Sequence, residues 1–293
     1  MDKPLILVTG KDGQLGFELQ QIQHFISSKF EFIFAGRNEM DLMNPFSISS
    51  FILEKKPQYL INCAAYTAVD KAEQEEEIAF KINAEAPALM AEVCKKINCQ
   101  FIHISTDYVF DGTKKTPYLT IDAKNSLNVY GHSKAKGEEL LVEKNPQSII
   151  IRTSWVYSSH GKNFVKTMLK LMSDKDEINV VDDQFGNPTY ASDLAEAILE
   201  IILKLNNFKG YKHQSIYHYT NTGNISWYQF AKAIQNNASL NCKVNAVPSS
   251  SYPTPAKRSN YSVLNCDDII HDFNLTQRDW EESLRICLSK LSY

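Results

Sequence analysis

The chemistry in this chain starts from a tyrosine and a lysine four residues apart, Tyr130 and Lys134, in the run Tyr130-Gly131-His132-Ser133-Lys134. On a helix that spacing puts both side chains on one face, about 6 Å apart along the axis. A phenol can donate the proton that an alkoxide needs once a carbonyl carbon has accepted hydride. Free tyrosine titrates near 10, and moving it toward 7 requires roughly 4 kcal/mol. An ammonium about 6 Å away supplies roughly 3 kcal/mol at an effective dielectric near 20, so Lys134 is expected to provide most of the shift. The hydroxyl of Thr106, in Ser105-Thr106-Asp107-Tyr108, is suited to hold the carbonyl oxygen as negative charge develops. Taken alone, a tyrosine–lysine pair of this spacing is common on helix surfaces, so its meaning depends on what stands around it.

Near the N-terminus, Gly10-Lys11-Asp12-Gly13-Gln14-Leu15-Gly16 follows an apolar run and precedes an amphipathic one. Glycines there let the backbone turn sharply and approach a pyrophosphate, whose charge then lies at a helix N-terminus. The spacing is GxxGxxG, a weak match by itself to the dinucleotide fingerprint, strengthened by its position between strand and helix. The next strand ends in Phe34-Ala35-Gly36-Arg37. A carboxylate at this point suits the ribose hydroxyls of NADH, whereas the planar fork of Arg37 suits a 2′-phosphate, which favours NADPH. NADH is the alternative, served by Glu39 and Asp41, with Leu42 beside them. A third strand delivers Ala64-Ala65-Tyr66-Thr67, small residues that permit close approach of a ligand at the sheet's binding edge.

Elements that would position these groups are legible as alternating patterns. Strands are predicted at residues 5–9, 30–35, 59–63, 101–105 and 149–153, each almost continuously apolar, as expected when helices cover both faces. Helices are predicted at 14–28, 46–56, 78–97 and 129–143 between them, which is the signature of a doubly wound parallel sheet. Further helices are expected at 164–172, 194–205, 227–236 and 278–291, with strands at 178–181, 216–219 and 244–247. Pro248–Pro255 cannot be helix and is expected to form an ordered loop near the site. The fold expected is α/β, a Rossmann-like doubly wound parallel sheet with a smaller, discontinuous C-terminal α/β lobe. Residues 1–157 and about 178–222 are assigned to the dinucleotide domain, and about 158–177 and 223–293 to the substrate lobe.

Composition narrows the function classes. With 293 residues, 43% hydrophobic and 22% charged, the chain needs no disulfide or metal to hold a core. Its net charge of −3 and lack of a basic run argue against nucleic-acid binding. The six cysteines show no CxxC and no zinc spacing, so reduced thiols in a cytoplasmic protein are expected. The apolar stretch at the N-terminus is too short for a signal peptide, and no apolar run approaches the ~20 residues that cross a bilayer.

Together these motifs resemble the extended short-chain dehydrogenase/reductases, and within them the dTDP-4-dehydrorhamnose reductase family. The resemblance also rests on Ala64–Glu73, Ser105–Gly112, Arg152–Tyr157, Asp183–Thr189, and Tyr252-Pro253-Thr254-Pro255 followed by Arg258, so it covers most of the chain. It implies hydride transfer from NADPH (or NADH) to C4 of dTDP-4-dehydro-L-rhamnose, giving dTDP-L-rhamnose for cell-surface polysaccharide. Tyr130 is implied as proton donor, Lys134 as its partner and a ribose ligand, and Thr106 as donor to the carbonyl oxygen. Thr67, Val69, Asp107, Tyr108 and Trp155 are implied at the sugar, and Arg258 at the nucleotide's phosphates, where bidentate pairing is good chemistry. Some relatives form homodimers around a metal held by glutamates. Here Glu18 and Glu281 stand at two of those places, but Ser192 occupies a third, so neither Mg2+ nor another metal is predicted and the homodimer stays open. The late motif also departs from the family, with Lys257-Arg258-Ser259-Asn260 in place of Arg-Pro.

Rival readings share the fold. Sugar-nucleotide dehydratases need a second carboxylate after the strand-end Thr-Asp, where this chain has Tyr108, and epimerases lack the Thr-Asp-Tyr-Val-Phe run. Reductases of related nucleotide 4-keto-6-deoxy sugars differ only in pocket shape. A rival of another class is a non-catalytic NADP-binding regulatory subunit resembling that of methionine adenosyltransferase.

Overall fold

A computed structural model describes residues 3–208 and 210–291. In chain order the first half runs β1 (Leu5–Thr9), α1 (Gln14–Ile22), β2 (Glu31–Ala35), α2 (Pro45–Lys55), β3 (Tyr59–Asn62), α3 (Val69–Ala72), α4 (Glu76–Phe80), α5 (Ala86–Lys96), β4 (Gln100–Thr106), α6 (Val129–Lys144) and β5 (Ile149–Thr153). Next come β6 (Val156–Tyr157), α7 (Phe164–Asp174), β7 (Glu177–Val181), β8 (Phe185–Gly186), β9 (Thr189–Tyr190) and α8 (Ala191–Asn207). The chain closes with β10 (Ile216–His218), β11 (Ile225–Ser226), α9 (Trp227–Asn237), β12 (Lys243–Val247), α10 (Asp267–Phe273) and α11 (Trp280–Ser289).

Six strands form one parallel sheet in the order β10-β5-β4-β3-β1-β2. Successive residues of a strand face opposite sides, so a strand covered on both sides must be apolar throughout. In β1, Ile6 and Val8 pack with α1 and α8 through Leu19, Ile198 and Ile202, while Leu7 faces Ile52, Met90 and Leu141 on the other side. In β5, Ile149 and Ile151 join the first layer and Ile150 the second. Each such side chain, fully buried, contributes about 1.5–3 kcal/mol. The chain builds outward from β1 to β2 and then returns to β3 on the opposite side of β1. This reversal opens a crevice at the carboxyl ends of β1 and β3, where open α/β sheets bind ligands.

A second hydrophobic cluster forms where Val165, Leu169, Phe230, Ile234 and Leu284 meet the inner faces of β7 and β12. Here the structure departs from the sequence reading. β7 lies in the segment expected to finish the main sheet, yet it pairs with β12, Glu177 opposite Lys243 through Val181 opposite Val247. Its burial alternates, with Ile178 and Val180 inward and Glu177 and Asn179 outward, as befits a strand covered on one side. β10 does complete the large sheet, beside β5.

Three other expectations change. The long helix expected over 78–97 is interrupted by a π-helical turn at Lys81–Glu85, directly before Pro87, whose missing N–H cannot serve an α-helical ladder. The segment 248–255, read as free of helix, contains one 3₁₀ turn at Ser249–Ser251. α10 has no counterpart in the sequence reading. Among the described residues no helix is long and apolar enough to cross a membrane, and all six cysteines are unpaired.

Candidate active site

The glycine loop joins β1 to α1 at the crevice. Gly10 sits at φ +71, in the left-handed region that favours glycine, with the Ala64 backbone so close that a side chain would have no room. Gly13 is the N-cap of α1 and offers no side-chain cap, so the amides of the helix's first turn have no side-chain acceptor. Unanswered amides at a positive helix end form the donor set that a pyrophosphate requires, so the loop fits a dinucleotide. At the end of β2, Glu39 accepts from the Gly36 amide at 2.7 Å and pairs with Lys11 at 2.6 Å, while Asp41 accepts from Met43 N at 3.0 Å. Both carboxylates proposed for NADH therefore have other partners. Arg37 forms no ion pair among the described residues and faces the cleft, the arrangement that suits a 2′-phosphate.

β4 carries Thr106 to the same edge. The Thr106 hydroxyl donates to Asp107 Oδ1 at 3.0 Å and accepts from the Tyr108 amide at 3.2 Å. It also bears on the Tyr130 phenol, acting to lower its pKa against the larger effect of burial. α6 enters alongside, capped by Asn128, whose side chain accepts from Gly131 N at 2.8 Å and donates to Lys257 O at 2.8 Å. Only glycine fits at 131, because a Cβ would stand 2.2 Å from the Tyr108 carbonyl oxygen. This close approach brings Tyr130 against Thr106 and sets its ring edge-on to Tyr108 at 5.4 Å.

The electrostatics differ from the sequence-based expectation. Burial pushes the Tyr130 phenol well above its ordinary value, and Asp107 and Tyr108 raise it further. The Lys134 ammonium nitrogen turns under the sheet, 2.7 Å from Ile104 O and 3.1 Å from His103 Nε2, and burial brings its pKa down to about 8. The phenol is thus kept protonated, the state a proton donor needs. Burial raises Asp107 to about 6 and Tyr108 to about 12.

A cleft of 730 Å³ collects most of the residues singled out in the sequence: Gly10, Asp12, Gly13, Gln14, Leu15, Arg37, Asp41, Leu42, Ala64, Ala65, Thr67, Val69, Thr106, Asp107, Tyr108, Tyr130, Lys134 and Trp155. Four others stand elsewhere. Lys11 is held by Glu39, Gly16 packs behind the loop against Gly10, and Tyr66 donates to Glu75 at 2.5 Å. Arg258 lies in an adjoining cleft of 400 Å³, which shares Asp107, Tyr108 and Trp155 with the first. There it makes a bidentate pair with Asp70 at 2.8 and 3.0 Å, so it already has a carboxylate partner. Glu18 is buried and accepts from Ser158 at 2.6 Å.

Several site residues escaped the sequence reading. Trp155 was singled out, but not its strained backbone at φ +48 nor its stacking on Trp227 at 3.5 Å, with Phe164 beyond. That stack walls the second cleft. Beneath the catalytic edge, Glu138 receives two parallel bonds from Arg152 at 2.8 and 2.9 Å and one from Ser105 at 2.6 Å, all buried. No spacing rule links residues 105, 138 and 152, so only the fold reveals them.

Comparison with known proteins agrees with this geometry. The family model described as "RmlD substrate binding domain" matches residues 4–293. The chain is 40% identical over 286 residues to dTDP-4-dehydrorhamnose reductase of Aggregatibacter actinomycetemcomitans, covering 96% of this chain and 97% of the relative. Among solved structures, dTDP-4-dehydrorhamnose reductase of Clostridium acetobutylicum superposes with a TM-score of 0.90 at 38% identity, covering 97% of this chain and 98% of the other. That of Bacillus anthracis, solved in complex with NADP, also gives 0.90, at 34% identity over 99% of this chain and 100% of the other. With a glycine loop, a strand-end threonine and a tyrosine–lysine helix gathered on one sheet edge, this chain belongs to the RmlD substrate-binding-domain family.

Proposed function

We propose that this protein is an NADPH-dependent reductase that converts the C4 keto group of dTDP-4-dehydro-L-rhamnose to the alcohol of dTDP-L-rhamnose. The observation that carries the reading is the convergence of Thr106, Tyr130 and the glycine loop on one cleft. Bound in that cleft, NADPH supplies the hydride that adds to the carbonyl carbon. On substrate binding the Thr106 hydroxyl would turn its one proton from Asp107 to the carbonyl oxygen while charge develops there. Tyr130 then gives its phenolic proton to that oxygen, and its burial ensures that the proton is present beforehand. Lys134 would steady the phenolate left behind and would be the residue that holds the cofactor's ribose. Thr67, Val69, Asp107, Tyr108 and Trp155 line the sugar's position, and the second cleft with Arg258 accommodates the nucleotide end.

The same reading places the reaction in the cytoplasm and divides the chain into a dinucleotide domain and a substrate lobe. A stoichiometric assay tests it: purified protein, NADPH and the 4-keto sugar nucleotide, with absorbance at the NADPH band and identification of the product sugar. One NADPH consumed per dTDP-L-rhamnose formed is expected. No consumption of NADPH would favour the non-catalytic regulatory subunit, and a different 6-deoxy sugar would redirect the substrate assignment. Light scattering on the same preparation decides the homodimer.

A further inference from the structure

His103 lies on β4, fully buried, between Asn62 and Lys134. Its donor and acceptor roles follow from its neighbours. The Asn62 carbonyl oxygen accepts from the Ala64 amide at 3.2 Å and from the Thr9 hydroxyl at 2.6 Å. A backbone N–H can only donate, so this end of the Asn62 side chain is the oxygen. The Asn62 amide nitrogen therefore faces His103 Nδ1, at 2.9 Å, and donates to it. Burial holds the imidazole neutral. A neutral ring has one N–H, and with Nδ1 accepting, that N–H is on Nε2. Nε2 points at Lys134 Nζ, 3.1 Å away.

An ammonium has three donors and no lone pair, so it cannot accept from Nε2–H. A neutral amine can: one N–H goes to Ile104 O at 2.7 Å and the lone pair takes the histidine proton. We propose that His103, its tautomer fixed by Asn62 and Ala64, is a positioning residue that presents a donor to Lys134 and so favours the neutral amine form of this lysine. The lowered lysine pKa agrees in direction.

The other groups around Lys134 do not supply a competing acceptor. Glu138, one turn further along α6, favours the charged lysine, but its two oxygens are engaged by Arg152 from β5 and Ser105 from β4, with Lys124 at 3.7 Å. Tyr130 on the same helix is protonated, and the π-helical turn contributes Asn83, whose carbonyl oxygen accepts from Tyr66 N at 2.9 Å. Asp107, at the end of β4, accepts from Thr106. The consequence for turnover rests on the proposed role of Lys134: the charged lysine supports the Tyr130 phenolate, so kcat/KM declines as pH rises through the lysine's titration.

The test combines two measurements on the full-length protein without cofactor. Nitrogen-15 NMR of the histidine rings, with His103 assigned by its loss in His103→Gln, reads the tautomer directly. Carbon-13 NMR of labelled lysines, with Lys134 assigned by Lys134→Arg, reads its titration. The expected result is a neutral Nε2–H tautomer and a Lys134 midpoint well below the ordinary value of about 10.4. In His103→Gln the side-chain carbonyl can accept from Lys134, and the midpoint rises by about one pH unit or more, with a tenfold gain in retained kcat/KM on the alkaline limb. A proton on Nδ1, or Lys134 titrating as an ordinary lysine, overturns the proposal, and both are read on the wild type even if the variant does not fold. A folded His103→Gln with an unchanged midpoint also overturns it. If the midpoint moves while the kcat/KM limb stays in place, the histidine proposal stands and the role given to Lys134 is wrong.

Discussion

Replacing Asp107 by asparagine should stabilise the protein in a pH-dependent way while harming catalysis. The carboxyl is buried at the end of β4, and its folded pKa is about 6 against 3.8 when free. A raised carboxyl pKa means that the native state holds a proton the unfolded chain has lost. Stability therefore declines as pH climbs from about 4 to about 6 and is level above that. Two pH units correspond to about 3 kcal/mol of penalty for the ionised form near pH 7. Asparagine removes that penalty but weakens the acceptor for Thr106, which costs about 1 kcal/mol. The net expectation is a gain of about 2 kcal/mol at pH 8 that becomes a loss of about 1 kcal/mol near pH 4. Urea denaturation of both proteins at pH 4.5, 6 and 8 measures the difference, and groups unaffected by the substitution cancel. A gap that is constant with pH, or that widens toward acid, would refute the reasoning. Because Asp107 lines both clefts, the variant should also show a raised KM for the sugar nucleotide.

Four other substitutions probe separate parts of the account. Arg37→Ala should weaken NADPH about tenfold or more, the worth of one charged hydrogen bond, and leave NADH unchanged; equal losses for both would remove Arg37 from the 2′-phosphate. Gly16→Ala places a Cβ 2.2 Å from Gly10 O and should destabilise by about 1–3 kcal/mol, whereas Gly13→Ala, 3.3 Å from the same oxygen, should mainly reduce cofactor affinity. Thermal melts beside NADPH fluorescence titrations separate the two. Glu138→Ala leaves Arg152 buried without its carboxylate and should cost about 3–5 kcal/mol, read by chemical denaturation; a loss under 1 kcal/mol would mean that water takes over.

The sequence made the large sheet legible because its strands are apolar on both faces, a pattern that few other settings allow. β1 and β5 fall on the residues expected, and β2, β3 and β4 within one residue at either end. β7 was misassigned to that sheet although its burial alternates, since Glu177 and Asn179 mark a strand with one wet face. The π-helical turn was hidden because Lys81–Glu85 has ordinary helical composition, and only Pro87 hinted at it. At the site, residues linked by short spacing, such as Tyr130 with Lys134, could be found from the chain alone. His103, Glu138 and Arg152 could not, since their contacts span 31, 33 and 14 positions. Placing the Lys134 terminus beside Tyr130 assumes that helix spacing fixes where a long side chain ends. Lysine has four rotatable carbons, and the buried carbonyl of Ile104 and the ring of His103 took its terminus instead.

The central claim is that the Tyr130 phenol delivers the proton that completes carbonyl reduction. Single-turnover kinetics of Tyr130→Phe with NADPH and the 4-keto sugar nucleotide tests it most directly, with cofactor affinity measured in parallel. The account predicts a rate reduced by about 10²–10⁴-fold with NADPH affinity unchanged. A variant that reduces the sugar at the wild-type rate would contradict it.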